Sequence, residues 1–119
     1  SVWEGATLTL ESNPGVVAHF AEARRALSLA RIECHYFVNH CFMDTDQLLR
    51  DADRLHGIPG VIVHGRYDVV CPVDNAWMLH QAWPEAELRI VTPAGHAASE
   101  PGIVDALITA TQSFADRLK

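Results

Sequence analysis

Two short apolar runs leave this chain little choice of fold. Gly60-Val61-Ile62-Val63-His64-Gly65 is rich in Val and Ile and is entered through Ile58-Pro59, so it reads as a buried strand. Ala86-Glu87-Leu88-Arg89-Ile90-Val91 repeats the pattern. Between them, Pro72-Val73-Asp74 starts a helix through Ala76, Trp77, Leu79 and His80, with Pro72 suited to a first helical turn, and Trp83-Pro84-Glu85 ends it. If the two strands are parallel neighbours, their following loops leave one edge of the sheet, where open α/β sheets take ligands. Each loop carries a titratable side chain at a matching place. Asp68 follows Gly65 by three residues, and His96 follows Thr92-Pro93-Ala94-Gly95. An acid and an imidazole so placed are two parts of a nucleophile-base-orienter constellation.

A last helix opens at Glu100-Pro101-Gly102 and is expected to run through Ile103, Leu107, Ala110 and Phe114 to the end. Upstream of Gly57-Ile58-Pro59-Gly60 the pattern is helical and carries no convincing strand. Val2, Trp3, Ala6, Leu8 and Leu10 give a short amphipathic helix closed by Ser12-Asn13-Pro14-Gly15. Val16, Val17, Phe20, Ala23, Ala26 and Leu27 predict a helix over roughly 16–28, and Ala30 to His40 predicts another, with Ile32, Tyr36 and Phe37 on one face. Asp44-Thr45-Asp46-Gln47 offers N-cap chemistry for a short helix through Leu48 and Leu49. The change of pattern divides the chain into a helical portion, 1–56, and an α/β portion, 57–119.

A chain of 119 residues is about one domain by the usual ~100–200 residues each. Its 49% hydrophobic and 20% charged residues suit a packed core rather than disorder. The net charge is −6 and the nine basic residues form no run, which argues against a nucleic-acid or anionic-membrane partner. Cys34, Cys41 and Cys71 make an odd count without metal-type spacing, so a reducing cytoplasm fits better than a secreted disulfide framework. Ser1-Val2-Trp3-Glu4 has neither a signal peptide nor an initiator methionine, and the chain is expected to be a piece of a longer one.

Taken singly, Asp68 also reads as the cap of a turn before Pro72, and His96 as a satisfied loop histidine. Together they occupy the strand-end positions, and the chain order, of the acid and base of α/β hydrolases. That fold carries its serine upstream on a Gly-x-Ser-x-Gly elbow. Ser1, Ser12, Ser28, Ser99 and Ser113 all lack the elbow context, and no glycine elbow surrounds Cys71.

Four segments carry a resemblance that spans essentially the whole chain in unbroken order. They are Ser1-Val2-Trp3-Glu4-Gly5, the run Ala30-Arg31-Ile32-Glu33-Cys34-His35-Tyr36-Phe37, the run from Val63-His64-Gly65-Arg66-Tyr67-Asp68 to Pro72, and the run from Ala94-Gly95-His96 to Ile103. In combination they resemble the proline iminopeptidase (prolyl aminopeptidase) family. The resemblance implies a serine peptidase of α/β-hydrolase fold that releases N-terminal proline from peptides, with no metal or cofactor. This chain would match its C-terminal part: the end of a helical cap, then the last strands and helices of the core. It implies Asp68 as triad acid, His96 as triad base, and Glu4 and Glu33 as the acids that hold the substrate's free amino end.

Carboxylates suit that last role because a cationic imino group is recognised by charge-assisted hydrogen bonds. Without the resemblance, both glutamates read as solvated helix-face charges. Trp3, Tyr36 and Phe37 are candidates to line the proline-ring pocket. The family's Gly-His-Ser-Ala is Gly95-His96-Ala97-Ala98 here, a departure that leaves the base in place. Two other readings remain open: another α/β hydrolase, such as an esterase or epoxide hydrolase, and a non-catalytic α/β module. With no elbow serine, these residues alone are expected to be inactive. Unpaired strand edges and an apolar face predict either self-association or a partner carrying the missing half.

Overall fold

The computed structural model describes residues 1–117. Leu118 and Lys119, the end of the expected last helix, lie outside the described residues. Helix α1 covers Val2–Thr7 and stops short of Leu10. Thr7 turns its hydroxyl back onto the carbonyls of Trp3 and Glu4, and residues 8–13 then run on as an irregular link. Helix α2, Pro14–Ala21, opens with Pro14 in its first turn and with Asn13 Oδ1 accepting the amides of Gly15 and Val16.

Helix α3 is Ala23–Val38, one continuous element where the sequence predicts a division near residue 29. Ser28 does not interrupt it, because its hydroxyl bonds the Arg24 carbonyl one turn back and the helix runs on. The break falls instead at Glu22, whose extended backbone (φ −63°, ψ 121°) lets α3 leave the direction of α2. The helix also ends before His40. Asn39 donates its amide to the His35 carbonyl at 2.8 Å, and His40, Cys41 and Phe42 take positive φ values of 50°, 54° and 57°. That left-handed turn folds the Phe42 ring back onto His35 and Tyr36, at 5.4 and 5.6 Å between centroids.

Helix α4, Gln47–Arg50, lacks the side-chain cap expected of it. Asp46 sits at φ 56° and caps nothing, and Gln47 Oε1 instead accepts the Asp44 amide at 3.0 Å.

Strand β1 is Gly60–Gly65 and strand β2 is Ala86–Val91. They pair in parallel, Gly60 opposite Ala86 through to Gly65 opposite Val91. Helix α5, Val73–Ala82, joins them, with Pro72 one residue ahead of the first turn. Helix α6, Pro101–Arg117, follows β2, and both α5 and α6 pack on both strands. The result is an α/β arrangement preceded by helices.

The strands are half-buried rather than buried as expected. The interior consists of Ala52, Ala76, Ala86, Ala94, Ile103 and Ala110, so nearly everything fully covered is a methyl group. Phe37, Trp3, Trp77, Ile90 and Ile108 stay exposed. The radius of gyration, 16.4 Å, exceeds the about 13.5 Å of a compact domain this long. The accessible surface, 8381 Å², is about 2,000 Å² above that of a compact monomer of this mass. Much apolar surface is therefore left for something else to cover. Among the described residues, no helix is long and apolar enough to cross a membrane.

Candidate functional site

Parallel pairing in this register carries the ends of β1 and β2 to the same edge, and the two loops meet there. Gly65 is what allows the meeting: a Cβ at that position would overlap the Gly95 carbonyl oxygen of the second loop. The Tyr67 amide donates to the Ala94 carbonyl and the Arg66 amide to the Val91 carbonyl, both at 2.9 Å. The first loop is thereby stitched to the second by backbone alone.

Asp68 then turns inward, its side chain only 4% exposed. Its Oδ1 accepts the amides of Val70 and Cys71 at 2.9 and 2.8 Å, which answers the turn-capping alternative: Asp68 does cap its own turn. Its Oδ2 is free to do something else and lies 2.9 Å from His96 Nδ1. Burial pushes the carboxyl up, but the Cys71 amide, the His96 ring and the Val70 amide push it down by more, so it sits below the usual aspartate value. An ionised Asp68 can only accept, so Nδ1–H of His96 donates, and in the neutral imidazole the lone pair then lies on Nε2. The His96 side chain is 34% exposed, and among the described residues none hydrogen-bonds that second nitrogen. A hollow of 210 Å³ lies against the pair, lined by Val63, His64, Cys71, Ile103 and Leu107. The arrangement is an oriented base facing open space. A wider hollow of 620 Å³ runs along a single face of α3 and touches none of these groups.

His64 belongs to the same cluster and is missed by sequence reasoning, which reads it as one more strand residue. Its Nε2–H donates to the Cys71 carbonyl at 2.9 Å and lies 3.6 Å from Asp68 Oδ2. It closes the loop whose amides feed Asp68. Its position next to the strand-ending glycine was the only signal, and a weak one.

The helical portion brings a second pair together. Glu4 of α1 and Glu33 of α3 share a hydrogen bond. That bond, then burial, then the Glu4 charge hold the Glu33 carboxyl above its usual value. Glu4 moves the other way, below its usual value, chiefly through the α-amino group of Ser1 at 3.0 Å and then through Glu33. The two carboxyl groups thus form one cluster. Tyr36 and Phe37 lie further along α3 and Trp3 on α1, at 48%, 68% and 63% exposure, so no enclosed pocket forms around these rings.

The cysteines Cys34, Cys41 and Cys71 are free, and among the described residues no group of three or more His, Cys, Asp or Glu side chains is arranged to hold a metal.

No protein-family model matches the chain. Among curated proteins it is 58% identical over 115 residues to the proline iminopeptidase of Xylella fastidiosa strain Temecula1, covering 96% of this chain and 37% of that protein. To the proline iminopeptidase of Xanthomonas citri it is 59% identical over 116 residues, or 97% of this chain and 37% of the relative. To that of Arabidopsis thaliana it is 49% identical over 113 residues, 94% and 30% respectively. The chain spans about a third of the length of the curated relatives it matches, and it resembles their C-terminal portion.

Proposed function

Since the chain resembles the C-terminal portion of proline iminopeptidases, we infer that it supplies the acid, the base and the amine-binding carboxylates of a serine aminopeptidase that releases N-terminal proline. The observation that carries this reading is the 2.9 Å contact between Asp68 Oδ2 and His96 Nδ1 at adjacent strand ends. In the whole protein a serine from the preceding part of the fold lies against His96 Nε2. The imidazole takes its proton as the oxygen attacks the prolyl carbonyl, then gives that proton to the departing amine. Water hydrolyses the acyl-enzyme by the same route in reverse. Asp68 holds the tautomer and stabilises the imidazolium throughout.

Glu4 and Glu33 select the free imino end. Trp3, Tyr36 and Phe37 face the proline ring once the rest of the protein encloses them. These residues alone are inactive, the division into a cap portion (1–56) and a core portion (57–119) follows the family's plan, and the unpaired cysteines suit a reducing cytoplasm.

The full-length protein, assayed on a prolyl arylamide beside an acetyl ester, should prefer the arylamide strongly. Comparable turnover of the ester, or turnover of the ester alone, would move the protein to another class of α/β hydrolase. No turnover of either would leave a non-catalytic module.

The exposed apolar surface also implies a covering partner, either the preceding part of the fold or a second copy of the chain. Light scattering after size exclusion should find the isolated 119 residues associated at micromolar concentration. A compact monomer would contradict this.

A further inference from the structure

The loop that carries His96 is held by more than its strand. Its successive amides each have a distant acceptor. The Gly95 amide donates to Glu100 Oε1 at 2.7 Å, and the amides of His96 and Ala97 both donate to the Leu8 carbonyl at 2.8 Å. Glu100 does not stop at the loop. Its other oxygen, Oε2, accepts the Leu10 amide at 3.2 Å, in the link that leaves α1. One carboxylate therefore joins the His96 loop to a segment ninety positions away in sequence. The space between them is filled: a Cβ on Gly95 would stand 3.0 Å from the Leu10 nitrogen, 3.2 Å from Glu100 Oε1 and 3.2 Å from the Leu8 oxygen. Glu100 is also anchored at its own backbone, its amide donating to the Ala97 carbonyl at 3.0 Å.

We propose that Glu100 is a positioning residue for His96, clamping the backbone of the base's loop to the segment that leaves α1. This rests on reading Asp68 and His96 as acid and base. The anionic acceptor makes each of its two contacts stronger than a neutral one. The clamp fixes where the His96 backbone lies relative to Gly65 and Asp68, and so whether Nε2 points at the attacking hydroxyl. Small misplacements of a catalytic group are costly: about 1 Å is worth on the order of 100-fold in rate.

The test uses the full-length protein with Glu100→Ala and Glu100→Gln. The alanine variant should lose about 10–100-fold in kcat on a prolyl arylamide with KM held within about twofold, because the substrate's own contacts are untouched. Glutamine keeps one acceptor and should fall between alanine and the parent. Hydrogen exchange at the Gly95 and Leu10 amides should speed up in the alanine variant. Unchanged kcat despite faster exchange would overturn the proposal. So would a parallel loss of kcat and of folded protein in both variants, which would mark a merely structural residue.

Should the parent protein cleave no prolyl substrate, the functional reading fails while the clamp is still open to measurement. The Nδ1 proton resonance of His96 should then shift or broaden in Glu100→Ala. A resonance and exchange rates that stay put would refute the positioning role by themselves.

Discussion

Asp68 and His96 owe their meeting to backbone. Two parallel strands, a glycine with no room for a Cβ and a series of loop amides bring the side chains to 2.9 Å, with each polar atom of Asp68 already engaged. Glu4 and Glu33 meet differently. Helix α3 packs against α2 and the turn at 40–42 but not against α1, and the two carboxyl groups reach across the intervening space on flexible stems. One pair is fixed before any ligand arrives. The other is a charge cluster whose shape a ligand, or a covering portion of protein, still has to set. On the proposed function the contrast separates tasks that need different tolerances: proton transfer demands close alignment, whereas holding an ammonium demands mainly negative charge nearby.

The sharpest way to break the comparison is to keep the geometry and remove the charge. Asp68→Asn preserves shape but presents an amide to Nδ1, and in the full-length protein kcat should fall by about 10⁴-fold with KM little changed. A loss under tenfold would mean that Asp68 only shapes its turn.

For the glutamate pair the effect should be smaller and should appear in binding. Glu33→Gln removes one charge-assisted contact, and kcat/KM for a prolyl substrate should drop by roughly 10- to 150-fold while ester turnover stays the same. The parent protein should add a pH signature. Because the shared hydrogen bond with Glu4 holds Glu33 above its usual value, Glu33 takes up its proton earlier as pH falls. Binding of a cationic amine is then complete above that raised value and is lost as pH falls through it. Glu33→Gln should abolish this arm of the KM profile, and an arm that survives the substitution would assign it to another group.

What could be read in advance follows the same divide. Strand limits, parallel pairing and the Asp68–His96 edge are legible because glycines bound the first run, prolines flank the second and the apolar pattern is local. The helical half is legible in kind but not in its joints. Glu22 is an ordinary helix former, and its extended backbone answers to how α2 and α3 leave each other, which no local pattern records. Asp46 looks like a cap, yet the neighbouring Gln47 side chain takes the Asp44 amide and the aspartate swings to positive φ. Glu100 reads as nothing more than the residue before a helix-opening proline. Its two acceptor contacts depend on where Leu10 ends up, and only the folded chain brings those positions together. His64 is hidden in the same way, since the Cys71 carbonyl it bonds belongs to a loop whose shape Asp68 creates.

The alanine-lined interior reverses the usual map of mutational tolerance. Truncating a large covered side chain is the ordinary way to wound a fold, and here there is almost none to truncate. A melting-temperature scan of these residues would find its fragile points at the smallest ones, Gly65, Ala86 and Ala94, where any added atom meets backbone or has no space to enter. Phe37, Trp77 and Ile90 would pass such a scan as harmless, and a variant-effect table built on it would miss the very positions that a covering surface would touch.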